Sequence, residues 1–296
     1  MTHAGHAPHA GHAPDHYYVP HQSYWPIIAT ISLFTLMVGG ATLLNGGNGT
    51  LLLVGLALIL ITMFGWFGTV VRESEKGLYS NQMDRSFRWG MIWFIFSEVM
   101  FFAAFFGALF YARSYSVPWL GGESAHAALT HGLLWPKYEA VWPTNGPGDI
   151  GGFFAPMRAW GLPAINTLIL LSSGVTITWA HWGLVEGNRP QLLKGLAATV
   201  ALGFLFLVLQ AIEYHEAYKE LNLTLGSGIY GSTFFMLTGF HGLHVTIGAI
   251  ILTVILLRSL AGHFTPQRHF AFEAAAWYWH FVDVVWLGLF IFVYWL

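Results

Sequence analysis

The sequence predicts an all-α integral membrane protein of seven transmembrane helices, a two-helix hairpin followed by a five-helix bundle. Charged residues make up 9% of the chain and hydrophobic ones 55%, whereas soluble domains carry about 25% charged residues. Seven apolar runs succeed one another, each close to the roughly 20 residues that cross a bilayer as a helix. Between the first two runs, Asn45-Gly46-Gly47-Asn48-Gly49 is nearly all turn formers, which predicts a tight hairpin.

In order along the chain, residues 1–16 repeat Ala-Gly-His-Ala-Pro with a Pro and Gly spacing that cannot bury a core, and are expected to be a disordered tail. His3, His6, His9, His12 and His16 could gather a transition metal there, but an unstructured His tract binds metal adventitiously. The tail lacks Lys, Arg and an apolar core, so it resembles neither a secretory signal nor a transit peptide. Residues 17–80 are expected to form the hairpin and 81–296 the bundle. The spans are placed at 26–44, 50–71, 88–111, 162–182, 195–214, 231–257 and 270–294. The connection 112–161 is rich in Pro, Gly and Trp and reads as an ordered external loop at a membrane surface.

Arg72, Lys76, Arg85, Arg88, Arg189, Lys194, Arg258 and Arg268 fall on one side of these spans; Arg113, Lys137, Arg158 and Lys219 fall on the other. The richer side is expected to be cytoplasmic, with the amino terminus there and the carboxyl terminus outside. Acidic and basic residues nearly balance, at 14 and 12, so no basic surface for nucleic acid exists. With no cysteine, disulfides, thiolate metal sites and Cys nucleophiles are excluded, and His, carboxylates and Met remain as candidate ligands.

The third span carries one ionisable group, Glu98, between Arg88 and Arg113. At mid-depth a bare carboxylate costs several kcal/mol, so Glu98 must be protonated, paired or hydrated. His241, His244, His280 and Asp283 lie at similar depth, and with Glu98 they could form one network. His241 and His244 are three residues apart and share a face, as do His280 and Asp283, and Glu273 lies on much the same stripe as His280. Imidazole with carboxylate suits zinc, copper or non-haem iron. Within a membrane such groups more commonly satisfy one another across helices, so no metal site is expected and the network is read as structural or proton-linked. Ser172-Ser173-Gly174 reads as a close helix approach, not a nucleophile. Trp66, Arg72 and Glu73 at the end of the second span, and Arg258 at the end of the sixth, are either snorkelling anchors or lipid-phosphate ligands. The seventh span is expected to show an aromatic stripe, including Trp277 or Trp286, to lipid or a partner.

Arg88-Trp-Gly-Met-Ile-Trp-Phe-Ile-Phe-Ser-Glu98, Tyr230-Gly-Ser-Thr-Phe-Phe-Met-Leu-Thr-Gly-Phe-His-Gly-Leu-His244 and Glu273-Ala-Ala-Ala-Trp-Tyr-Trp-His-Phe-Val-Asp-Val-Val-Trp286 resemble the signature segments of cytochrome c oxidase subunit III. Ser23-Tyr-Trp-Pro26, Asn166-Thr-Leu-Ile-Leu-Leu-Ser-Ser-Gly-Val-Thr176 and Gln210-Ala-Ile-Glu-Tyr214 extend the similarity from about Tyr17 to the carboxyl end. The resemblance implies an accessory, non-catalytic subunit of the proton-pumping haem-copper oxidase that reduces oxygen to water. In that family a V-shaped cleft filled by phospholipid separates hairpin from bundle. It implies no redox centre in this chain, with haem and copper in partner subunits, direct contact with subunit I, association with subunit II, and cytochrome c engaged only through the complex. Support of assembly, proton uptake and stability of the catalytic subunit is implied likewise. Glu98 matches the family's carbodiimide-reactive glutamate, and Arg72, Glu73 and Arg258 match positions near lipid headgroups. The missing transit peptide favours a bacterial plasma membrane, although an organelle-encoded version of the family would lack one too. A quinol-type oxidase subunit is the nearest alternative. A proton-coupled transporter would need internal repeats with interrupted helices, and no second copy of a helix group is visible.

Overall fold

The computed structural model describes residues 22–123 and 127–296. The His-rich segment 1–16 lies outside the described residues. Apart from one isolated bridge between Thr265 and Arg268, the regular structure among the described residues is helical. Seven helices are long and apolar enough to cross a membrane. The chain divides into two compact units, with the division between Trp89 and Gly90.

In the first unit α1 (Trp25–Leu44) and α2 (Thr50–Glu75) form the hairpin. Gly46, at φ 83°, takes the left-handed conformation that reverses the chain. Glycine also sets how closely the two helices pack. A Cβ on Gly39 would lie 2.3 Å from the Leu52 backbone nitrogen, and one on Gly55 would lie 2.5 Å from the Leu36 backbone. Lipid tails give no hydrophobic incentive for helix pairing, so this backbone-to-backbone contact and hydrogen bonds supply it. Ser32 and Thr62 share a buried hydroxyl–hydroxyl bond of 3.0 Å, and Trp25 Nε1 donates to Thr69 Oγ1 at 3.1 Å. α3 (Asn81–Tyr111) begins in this unit, where Arg88 pairs with Asp84 at 2.7 Å.

In the second unit the rest of α3 is joined by α6 (Leu162–Val185), α7 (Arg189–Lys219), α8 (Gly228–Leu260) and α9 (Phe270–Leu289). α6 packs on α7, α7 on α8, and α9 on both α8 and α6. α9 is the most enclosed span, with 56% of its apolar window buried. Trp279 fixes its seat. The ring fills the space left by the missing side chains of Gly203 and Gly248, and its Nε1 donates to Ser173 Oγ at 2.8 Å. Trp286 is fully buried and donates to Thr167 Oγ1 at 2.9 Å. Of the two candidates for an outward aromatic stripe, Trp286 is thereby turned inward, with its indole N–H partnered inside the bundle. Trp277 keeps partial exposure and packs against Phe270.

The spans are longer than their apolar runs, because polar residues continue the helices past the boundary of the hydrocarbon. α2 runs to Glu75, and α7 adds a turn or more at each end of 195–214. Nor does the third span stop at Tyr111. It continues through a π-helical stretch, Ala112–Ser116, into α4 (Val117–Leu120), so Arg113 lies on a helix. Beyond α5 (Ala128–Leu134) the long connection is irregular but held. Asn222 Nδ2 donates to the Phe153 carbonyl at 2.8 Å, and Phe154 stacks on Tyr230 at 5.4 Å.

Candidate functional site

The polar residues of the bundle fall into separate local sets. On α8, His244 Nδ1 lies 2.6 Å from the Phe240 carbonyl, and its Nε2 lies 2.9 Å from Glu98 Oε2 on α3. A carbonyl only accepts, so Nδ1 must carry a hydrogen and donate. The Nε2–Oε2 contact then holds a single shared proton, and the pair spans the helices without net charge. Phe101 and Phe102 pack on the imidazole at 5.9 and 5.0 Å. This is the interhelical pairing that mid-depth placement of Glu98 requires.

His280 and Asp283 on α9 repeat the pattern. Thr178 Oγ1 donates to the Gly174 carbonyl at 2.9 Å and accepts from His280 Nε2 at 3.3 Å, while His280 Nδ1 faces Asp283 Oδ2 at 3.4 Å. A Cβ on Gly174 would come within 2.5 Å of that carboxylate oxygen, so the small residue makes room for Asp283. His241 joins neither pair. Its Nε2 donates to the Val282 carbonyl at 3.0 Å, and its ring, fully buried, is surrounded by Phe102, Phe206 and Trp286.

The single network expected of Glu98, His241, His244, His280 and Asp283 is therefore not formed by direct hydrogen bonds. His241 and His244 are about 60° apart around α8 at 3.6 residues per turn, enough to turn one toward α9 and the other toward α3. Ser173 is engaged structurally, donating to the Leu170 carbonyl at 2.6 Å while accepting from Trp279.

Two clusters escape a reading by depth alone. Tyr294 donates to Glu213 Oε1 at 2.5 Å, with Glu213 wholly enclosed. Its only sequence signal is a carboxylate inside an apolar run. Glu273, two turns before His280 on α9, meets His269 Nε2 at 3.0 Å and His181 Nε2 on α6 at 3.9 Å. The spacing of His269 and Glu273 is legible as an i,i+4 pair, but His181 is brought to it only by folding.

At the helix ends, Trp66 and Arg72 are exposed on α2, and Arg72 Nε donates to the Gly68 carbonyl at 3.1 Å. Glu73 accepts from Tyr79 Oη at 2.8 Å. On α8, Arg258 lies over the Phe264 ring at 4.6 Å.

Fold and side chains together define a polytopic helical membrane protein in which Glu98, Glu213 and Asp283 each face a side-chain partner on the same or a neighbouring helix. The family profile described as Cytochrome c oxidase subunit III matches residues 15–296. Cytochrome c oxidase subunit 3 of Carassius auratus is 43% identical over 274 residues, covering 92% of this chain and 94% of the relative. That of Dugong dugon is 43% identical over 296 residues, covering 100% and 99%. The chain belongs to the cytochrome c oxidase subunit III family.

Proposed function

We propose that the chain is a non-catalytic subunit of a cytochrome c oxidase that holds its own bundle and boundary lipids in place beside a catalytic subunit carrying the haem and copper. The observation that carries this reading is the engagement of the intramembrane imidazoles. Both ring nitrogens of His244 are hydrogen-bonded within the chain, and His241 donates to a backbone carbonyl inside an aromatic cage. His244 thus has no ring nitrogen left over, and His241 Nδ1, without a hydrogen bond among the described residues, is shut among Phe102, Phe206 and Trp286. Glu98 and His244 retain one proton at mid-depth in a neutral pair, a structural bond that electron transfer does not require.

Subunit I is the direct partner in this reading, with subunit II in the same complex and cytochrome c reaching it only through that complex. The exposed guanidinium of Arg72 supports phospholipid headgroup contact at the end of α2, and Arg258 in the last turn of α8 supports the same at the end of that helix. The asymmetry of Lys and Arg supports an amino terminus on the cytoplasmic side.

The test is oxygen consumption by the assembled complex carrying Glu98→Gln. The initial rate is expected within about twofold of the parent, under ~0.5 kcal/mol of barrier. A complex that assembles fully yet loses all initial turnover overturns the non-catalytic assignment. Complex stripped of this chain is expected to start at a similar rate and to lose activity sooner during sustained turnover.

A further inference from the structure

We propose that His181, His269 and Glu273 form a binding site for one divalent transition-metal ion of zinc type, where the end of α6 meets the start of α9. Among the described residues this is the group of three such side chains whose ligand atoms all lie within 4.8 Å of one another.

The hydrogen bonds prepare His269 as a ligand. Its Nδ1 lies 3.1 Å from the Thr265 carbonyl and must donate to it. Nε2 is left as the nitrogen facing Glu273 Oε1, in the carbonyl–imidazole arrangement that orients metal-bound histidines. His181 supplies an independent sign. Its Nε2 is buried and makes no hydrogen bond among the described residues, yet lies 3.9 Å from the same carboxylate oxygen. Stacking on Phe272, at 5.6 Å and 23°, fixes the plane of that ring.

Geometry and charge suit a small cation. Zinc bonds of 2.0–2.1 Å in a tetrahedron put ligand atoms about 3.3 Å apart, between the 3.0 and 3.9 Å separations from Glu273. Small side-chain rotations suffice. Two imidazoles and a carboxylate leave one of four positions for water, and the 32% exposure of the His181 side chain gives access to it. The other intramembrane pairs do not offer this: each sets one imidazole against one carboxylate, and both nitrogens of His244 are already bonded.

The full chain in detergent, with His3, His6, His9, His12 and His16 changed to Ala to silence the amino-terminal histidines, is titrated with zinc alone by equilibrium dialysis at pH 7. One equivalent is expected to bind. His181→Ala and Glu273→Gln are each expected to weaken it by at least about tenfold. Zinc-edge X-ray absorption of the His-silenced chain with the site intact is expected to show two imidazoles, a readout that does not depend on whether the variants fold. No stoichiometric zinc, an equivalent that survives His181→Ala with His269→Ala, or fewer than two imidazoles at the metal overturns the site and leaves Glu273 an ion-pair partner only.

Discussion

An imidazole whose one nitrogen donates to a carbonyl or hydroxyl can share one proton with a carboxylate through the other. His244 does so with Glu98 and the half-exposed His280 with Asp283, whereas His241 has no carboxylate beside its second nitrogen among the described residues. That sharing yields a graded prediction. Glu98→Gln retains an amide that can donate to His244 Nε2 and is expected to cost under ~0.5 kcal/mol, whereas Glu98→Leu strands that nitrogen and is expected to cost about 1–2 kcal/mol. Denaturant unfolding in micelles measures both; equal losses contradict the shared-proton account. Tyr294→Phe is a harsher case, because Glu213 is wholly enclosed and loses the side-chain hydrogen bond that Tyr294 donates to it. About 1–3 kcal/mol is expected, read as a fall in unfolding midpoint.

Helices in a bilayer associate through close fit and polar contacts, and the two units do so differently. In the hairpin, Gly39 and Gly55 let backbones touch, and Ser32 bonds Thr62 at the crossing. Gly55→Leu is expected to force α1 and α2 apart and destabilise the chain by about 1–3 kcal/mol, while the same change at Gly68, where a Cβ meets nothing within 4 Å, is expected to be nearly neutral. Thermal unfolding of the two variants decides it. In the bundle, α9 is anchored by indole N–H bonds from Trp279 and Trp286 to hydroxyls of α6. The spans were legible because bilayer thickness fixes their length. Their true ends were not, since Arg189, Lys219 and Glu75 are polar yet helical, and hydropathy cannot distinguish a helix leaving the hydrocarbon from one that stops.

As a whole, a chain that is 9% charged and pairs Glu98, Glu213 and Asp283 with its own side chains lends itself to the proposed supporting role, and that role is tested at the level of the complex. Affinity purification of the full chain from its native membrane is expected to bring a larger haem-bearing polypeptide with it. The subsequently separated chain is expected to show no stoichiometric haem absorbance; a retained haem defeats the accessory reading.

The sequence by itself determined the membrane class, the seven spans, the tight first turn and the family, because these depend on hydrophobic length, turn-forming residues and local motifs. It also marked Glu98, His241, His244, His280 and Asp283 as exceptional, since an ionisable group in hydrocarbon needs a reason. Only the tertiary structure decided the partners. It gave His244 to Glu98, shut His241 in an aromatic cage, buried Trp286 and brought His181 to Glu273. Pairing across helices depends on rotation about each axis and on the depth reached by distant segments, and neither is written in the local pattern of a single span.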